Sequence, residues 1–273
     1  MDVYIGFDSA WADNPKSPGA ITATEVENGR PGRFHPPRLV SFEAALDFID
    51  VVRAPDGLTL LALDQPTIVP NQTSMRPVER TAASLVSWIG GGVQPSNQSK
   101  VGMFCPASPI WSFLSRLGAN EAPEAARTAT SGLHLIEVFP ALALPSIEAT
   151  FFGRLSAPRY NPGRRKTFKI GDWKRVADAA GRAFEAMAFA EQANWCLEIG
   201  DLPAPRKADQ DRLDSMLCLL IGLRWRLGDR SDSLMLGCLE RGYMVLPASN
   251  MVRERLVKAA RTCGVPVDGH VPE

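Results

Sequence analysis

Four aspartates stand where a carboxylate could act on a ligand. Asp8 ends the apolar segment VYIGFD and Asp64 ends LTLLALD, and both segments have the length of a strand. Asp211 and Asp214 open DQDRLDSMLCLLIGLRW, one helical turn apart and therefore on one face. Because oxygen ligands suit Mg²⁺ and Mn²⁺, a cluster of these side chains would form a site for a divalent cation.

Asp214 is the least expected of these acids in its local sequence. Its later neighbours on the same helical face, Leu217, Cys218 and Ile221, are apolar. An unpaired charge on a side that faces the core is costly, which favours a site role for Asp214. Asp211 is less informative, because an acid in the first turn of a helix is stabilised by the positive end of that helix.

The elements around these acids follow the order of a mixed α/β fold. VYIGFD, GAITATEV and RLVSF predict an antiparallel meander, with ENGRPG as a turn, and Ser41 caps a predicted helix through FEAALDFIDVV. LTLLALD predicts a central parallel strand, LHLIEVFP a short strand, and residues Ala208 to Leu227 a helix that Gly228 ends. LMLGCLERGYMVLP predicts a terminal hairpin, and MVRERLVKAAR predicts a last helix capped by Asn250.

Two stretches between these elements are predicted as helical insertions, over residues 66–131 and 140–207. The first is rich in proline, with predicted helices from Arg76 to Ile89 and from Pro109 to Leu117; the glycines at 90–92 fit a helix C-cap better than a phosphate cradle. In the second, a long helical region follows from Asp172 to about Cys196. A chain of 273 residues, 45% of them apolar, can bury a large core, so we predict a single domain over residues 1–273.

Charge and cysteine content narrow the class of protein. Thirty basic residues balance thirty acidic ones, so no global field attracts polyanions. The five cysteines lack the spacing of a zinc site and the density of a disulfide scaffold, which favours a reducing, cytoplasmic location. No apolar run approaches the roughly 20 residues that span a bilayer and no signal pattern is evident, so we expect no membrane partner. A dimer is compatible with this composition.

Residues 154–175 form a locally basic stretch, where we expect any contact with nucleic acid. Eight Lys and Arg residues accompany a single acid, Asp172, and Tyr160, Phe168 and Trp173 interleave with them. Such a pattern can follow phosphates and stack bases. The alternative is a solvated loop whose aromatic side chains anchor it to the core. The predicted substrate-binding residues of this stretch are Arg164, Arg165, Lys166 and Lys169.

The order of elements resembles the ribonuclease H-like fold, in which the first strand is central and the fourth pairs parallel beside it. That resemblance implies that Asp8 and Asp64 are neighbours at one edge of the sheet, since adjacent strands lie about 4.8 Å apart. If the helix from Ala208 begins at that edge, Asp211 and Asp214 join them. Carboxylates so crowded repel one another, and a pair of Mg²⁺ or Mn²⁺ ions between them would suit phosphodiester hydrolysis.

Six blocks carry a closer resemblance, namely YIGFDSAW, LLALDQP, SMRPVERTAASL, LIEVFPALA, YNPGRRKTFKIGDWKRV and DQDRLDSMLCLLIGLRW. They resemble the family designated domain of unknown function 429, regarded as predicted nucleases of the ribonuclease H-like superfamily. The D-x-x-D pair before an apolar helix is also similar to that of the Holliday-junction resolvases. The resemblance implies that Arg76 and Arg80 lie near the site and that its catalytic acids are Asp8, Asp64, Glu137, Asp211 and Asp214.

We therefore predict a divalent-metal-dependent nuclease with Asp8, Asp64 and Asp214 as metal ligands. A first alternative is an ATP-hydrolysing relative, which would need a glycine soon after the first aspartate, where this chain has serine and alanine. A second is a non-catalytic binding protein that has kept the fold and lost its metal. The neutral net charge favours the second, as does the block after Glu137, which reads Val-Phe-Pro-Ala where the family commonly has His-Pro-Glu.

Overall fold

The structure, a computed structural model, describes residues 1–272. Within them, five strands form one mixed sheet in the order β3-β2-β1-β4-β5. β1 pairs antiparallel with β2 and parallel with β4, and β5 extends the parallel half. The mixed α/β class is confirmed. The strands of this sheet are β1 (Asp2–Asp8), β2 (Gly19–Glu27), β3 (Arg30–Val40), β4 (Leu58–Asp64) and β5 (Gly132–Glu137).

Helices cover both faces of this sheet, and a separate antiparallel hairpin packs beside them. The hairpin strands are β6 (Ser233–Cys238) and β7 (Gly242–Pro247). No helix within residues 1–272 has both the length and the apolar character needed to cross a membrane. The helices are α1 (Phe42–Val52), α2 (Pro77–Val86), α3 (Pro109–Leu117), α4 (Pro123–Thr128), α5 (Pro140–Ile147), α6 (Ile170–Glu185), α7 (Ala190–Gly200), α8 (Lys207–Leu227) and α9 (Asn250–Cys263).

Alternation along the central strands separates two hydrophobic cores. Val3, Ile5 and Phe7 of β1 pack with α1 and α3 on one face of the sheet. Tyr4 of β1 belongs to the core on the other face, which includes most of α8. The interior of α8 is buried on all sides between the sheet and the outer helices, so its sequence is apolar without a polar stripe.

A glycine on β1 allows α8 to lie directly on the sheet. A Cβ atom at Gly6 would collide with the carbonyl oxygen of Ser215 and the backbone nitrogen of Leu219. Only glycine permits this approach between a strand and the helix backbone. Further along α8, Gly222 faces Ala62 of β4 in the same manner, with 3.2 Å from its added Cβ to the Ala62 Cβ.

Several elements differ from the sequence prediction in extent. The turn in ENGRPG is reduced to Asn28 and Gly29, both with positive φ, so β3 already begins at Arg30. The predicted helical region from Asp172 is divided, because Ala188 adopts φ +66° between α6 and α7. Ser249 is the N-cap of α9, one residue before the predicted Asn250. α4 and α5 were not predicted, since both are short, with six and eight residues.

Candidate active site at the carboxyl edge of the sheet

Asp8 and Asp64 are register partners on neighbouring parallel strands. Asp8 is the last residue of β1, Asp64 is the last residue of β4, and their Cα atoms pair across the ladder. Strands so paired lie about 4.8 Å apart, so the two carboxylates start from adjacent backbone positions. Alternation places both on the side of Gly6 and Ala62, which is the side that α8 covers.

Asp214 reaches this edge from the second turn of α8. The side chain is 7% exposed, and two hydrogen bonds hold its carboxylate. The Tyr160 hydroxyl donates to Oδ1 at 2.8 Å, and Nε2 of Gln210 donates to Oδ2 at 2.7 Å. The next residue, Ser215, lies against Gly6 of β1. This contact fixes the position of Asp214 along the strand direction, close to the ends of β1 and β4.

Asp214 affects the protonation of both strand-end acids. Burial, and then repulsion from Asp214 and Asp64, raises the pKa of Asp8 well above its ordinary value. Burial, followed by repulsion from Asp214 and Glu137, does the same to the pKa of Asp64. Burial also raises the pKa of Asp214 to about 6, although the Lys207 ammonium and the bonds from Tyr160 and Gln210 oppose that rise. Because the charge of Asp214 acts on both strand-end acids, the three residues belong to one acidic site.

Asp211 borders this site as half of an ion pair. Its carboxylate bonds to the ammonium of Lys207, one turn earlier on α8. Desolvation disfavours the charged form of Lys207, but the carboxylates of Asp8 and Asp211 outweigh it, and the pKa of Lys207 is raised. Lys207 therefore offsets part of the negative charge from within the chain.

The loops after β1 and β4 are bound to each other beside the acids. The Ser9 hydroxyl bonds to the Gln65 side chain, whose Nε2 donates to the carbonyl of Trp11 at 3.3 Å. The Trp11 indole in turn donates to the Asp64 carbonyl at 3.3 Å. These bonds join the two strand ends, so the spacing of the acids depends on them as well as on the ladder.

Glu137 belongs to a buried network of its own, although its charge still acts on Asp64. Glu137 of β5 pairs with Leu63 of β4 and not with Asp64. Because successive side chains of a strand point to opposite faces, the Glu137 side chain leaves the sheet on the face opposite α8. Both of its oxygens accept from the Arg76 guanidinium, at 2.6 and 3.0 Å, and Thr67 donates to it through its backbone at 3.0 Å. These contacts make Glu137 the residue that holds Arg76, and the catalytic role predicted for it stays a prediction.

Arg76 is likewise unavailable to a substrate. It is fully buried, and its Nε also donates to Glu79 at 2.9 Å. These contacts give Arg76, which the family resemblance implies to lie near the site, a structural role that joins α2 to β5. Arg80, one turn later on α2, is exposed and takes no part in this network.

The basic stretch is divided between core anchors and exposed charges. Trp173 is fully buried, with its indole donating to the Ile199 carbonyl at 3.0 Å, and Tyr160 is bound to Asp214. These aromatic side chains therefore anchor the stretch, as in the alternative interpretation. The loop passes beside α8, because a Cβ at Gly163 would be 3.7 Å from Cδ of Lys207. Exposed basic side chains on it are Arg164, Arg165, Lys166 and Lys169.

Three residues of the site were not predicted from the sequence. Lys207 and Gln210 each precede an acid of α8 by four residues, a spacing at which helical side chains meet. This four-residue spacing could have identified Lys207 and Gln210 from the sequence. Tyr160 was noted only as a member of the basic stretch, and no local pattern connects it with Asp214, 54 residues later.

The donor chemistry of Asp8 and Asp64 fits a divalent cation. Among residues 1–272 no three His, Cys, Asp or Glu side chains form a group that could hold a metal ion by themselves. Mg²⁺ commonly needs only one or two carboxylates, with water and substrate phosphate as its other ligands. Neither Asp8 nor Asp64 accepts a side-chain hydrogen bond from any residue in that range, so their oxygens are free to bind.

No family model, no curated protein and no solved structure matches this chain.

Proposed function

We propose that this chain is a divalent-metal-dependent phosphodiester hydrolase that acts on nucleic acid. One observation carries the proposal: Asp8 and Asp64 are register partners at the ends of parallel strands, on the side where α8 brings Asp214. Repulsion from Asp214 helps to raise the pKa of both Asp8 and Asp64, and a Mg²⁺ or Mn²⁺ ion would relieve this repulsion by favouring the charged carboxylates. Hydrolysis of a phosphodiester is the reaction that such oxygen-only sites commonly serve.

We further propose a ribonuclease H-like fold and membership of the family designated domain of unknown function 429. The sheet order supports the fold, since β1 is central, β2 and β3 complete an antiparallel meander, and β4 lies parallel beside β1. The family proposal rests on the six sequence blocks and on the convergence of Asp8, Asp64 and Asp214.

The side chains around the site have separate tasks in this proposal. Asp8 and Asp64 would hold the cation, which when bound activates water and offsets charge on the phosphoryl oxygens. Asp214, fixed by Tyr160 and Gln210, adds the negative charge that keeps a cation at this edge of the sheet. The chain thereby preorganises its donors before substrate arrives.

The exposed basic residues supply the contact with nucleic acid. Arg164, Arg165, Lys166 and Lys169 lie on the loop that passes Lys207, so a phosphate backbone bound there runs beside the acids. Contacts of this kind depend on charge and not on sequence, so binding should weaken as salt is added.

Cleavage of single-stranded and branched DNA in the presence of Mn²⁺ tests the proposal. Asp8→Asn and Asp64→Asn should each reduce cleavage to background, because each removes one negative donor of the pair. Asp56→Asn, at an exposed acid in the loop before β4, is the matched control and should retain activity. Full activity in either site variant would remove the assignment.

A non-catalytic binding protein is the second candidate, and Lys207 is the observation that favours it. Its ammonium already bonds to Asp211 and attracts Asp8, so the site carries an internal cation. Calorimetric titration with Mn²⁺ separates the two functions. A metal enzyme should release or absorb heat and gain melting temperature, since a ligand that binds only the native state stabilises it. A protein without a metal site should do neither.

A further inference from the structure

Lys207 borders the acidic site with a charge that the chain neutralises only in part. It is the first residue of α8, 48% of its side chain is exposed, and its ammonium contacts the carboxylate of Asp211. An ammonium has three N–H donors, and Asp211 is the only side-chain acceptor that this one has among residues 1–272. The group is therefore held at the site on one side and open to solvent on the other.

The surroundings of Lys207 keep its ammonium with Asp211. The other acid of this first turn, Asp209, is already engaged through both oxygens, which accept from the Arg206 backbone at 2.8 Å and from the Arg212 guanidinium at 3.0 Å. The basic loop lies along the aliphatic part of Lys207, since a Cβ at Gly163 would be 3.7 Å from Cδ of that lysine. The positive charge of Lys207 thus has a defined place at the edge of the cluster.

The charge of Lys207 acts on more acids than the one that it contacts. Burial raises the pKa of Asp8, Asp64 and Asp214, and the Lys207 ammonium opposes this rise in all three. A nearby positive charge favours the ionised form of a carboxyl group, as a bound metal ion would. Lys207 is therefore a counter-ion for the whole acidic site.

We infer that Lys207 competes with the divalent cation for the acidic site, so that the metal-free site is neutralised by the chain itself. The inference rests on the proposed function, which assigns the cation to Asp8 and Asp64. A divalent ion that approaches these carboxylates meets the like charge of Lys207, which the same acids already attract. The residue that stabilises the site without metal therefore weakens the binding of the metal.

Calorimetric titration with Mn²⁺, without nucleic acid, tests this competition. Lys207→Met and Lys207→Gln both remove the charge and should bind Mn²⁺ about tenfold more tightly than the unaltered protein, a gain limited by the solvent around a half-exposed side chain. Lys207→Arg keeps the charge, so its affinity should stay within about twofold of that of the unaltered protein. Lys207→Gln also keeps a hydrogen-bond donor for Asp211, so it decides the result if Lys207→Met does not fold.

A control lysine and added salt separate a local charge effect from a structural one. Lys258, an exposed lysine on α9, is the matched control, and Lys258→Met should leave the affinity for Mn²⁺ unchanged. The gain in Lys207→Met should shrink as KCl is added, because salt screens the charge of an exposed group. A gain of the same size in Lys258→Met, or one that salt does not alter, would overturn the inference.

The titration also separates this inference from the proposed function. If the unaltered protein and both charge-removing variants bind Mn²⁺ with equal affinity, the competition is overturned and the metal site stands. If Mn²⁺ binds to Lys207→Met or Lys207→Gln but not to the unaltered protein, Lys207 excludes the metal, which supports the competition and removes the enzymatic proposal. Absence of binding in all of these proteins would remove both.

Discussion

At the scale of single residues, Asp214 explains how a carboxylate persists in an apolar helix. Burial disfavours its charged form, but the hydrogen bonds from Tyr160 and Gln210 and the charge of Lys207 favour it. The balance raises the pKa of Asp214 to about 6, so the residue is mostly charged at neutral pH. The surrounding side chains thus keep a charged oxygen ready at the end of the sheet.

The Tyr160 hydroxyl should have a measurable share in this balance. Tyr160→Phe removes a donor to Asp214, and a hydrogen bond to a charged group is worth about 1.5–3 kcal/mol, so the pKa of Asp214 should rise clearly above about 6. NMR titration of the Asp214 carboxyl carbon measures this shift. Tyr4→Phe, four residues before Asp8 on β1, is the control and should leave the titration unchanged. An unaltered titration in Tyr160→Phe would contradict the assigned hydrogen bond.

Glu137 should behave as a structural residue. Glu137→Ala leaves the buried guanidinium of Arg76 without its principal partner, and breaking a buried ion pair costs about 3–5 kcal/mol. The melting temperature should therefore fall, while Mn²⁺ should still raise it by the same amount as in the unaltered protein. Thermal melting with and without Mn²⁺ measures both effects. A variant with normal stability and no response to Mn²⁺ would return Glu137 to the metal site.

At the scale of elements, the contact between β1 and α8 sets the geometry of the site. Gly6 is two residues before Asp8, and the part of α8 that it touches begins one residue after Asp214. One backbone contact therefore aligns acids that come from opposite ends of the chain. The hydrogen bonds of Ser9, Trp11 and Gln65 then bind the strand-end loops to each other.

Gly6→Ala should separate α8 from the sheet. The added methyl meets backbone atoms of Ser215 and Leu219, which have no alternative rotamer, so we expect a loss at the upper end of the about 1–3 kcal/mol that overpacking costs. Chemical denaturation measures the loss, and the stabilisation by Mn²⁺ should fall with it. Gly171→Ala, in the first turn of α6 with open space around its Cβ, should be neutral or slightly stabilising. Equal stability of the two variants would contradict the proposed contact.

At the scale of the whole molecule, the acidic site links stability to pH. Asp8, Asp64 and Asp214 all have pKa values raised by folding, so the native state holds their protons more tightly than the unfolded chain does. Their contribution to stability is complete below the unfolded pKa of about 3.9. This contribution to stability is lost as pH rises through the pKa values of the folded state. For Asp214 that pKa is about 6.

A bound divalent cation should reverse this trend. It favours the charged carboxylates, so the rise in melting temperature on adding Mn²⁺ should be small at pH 5 and large at pH 8. Melting curves across this range with Mn²⁺ and with a chelator measure the difference. Asp8→Asn should reduce the response at pH 8. A response of equal size at both pH values would place the ion on groups other than these acids.

Much of the architecture was predictable because it follows local rules. Strands that end in Asp8 and Asp64 are marked by buried apolar runs, and α3 spans the predicted residues from Pro109 to Leu117. The division of the helical region at Ala188 was not predictable, because a left-handed alanine there is held by the packing of Phe189 into the core. Local propensity does not carry that information.

The sequence by itself determined which residue types stand at the ends of the strands and on which face of α8 Asp211 and Asp214 lie, since both follow from backbone periodicity. Only the tertiary structure decided which acids share a site. Ladder register places Asp64 beside Asp8, whereas the pleat directs Glu137 to Arg76. Tyr160 joins the site through space. Register and helix packing depend on contacts between distant segments, and no local pattern encodes their partners.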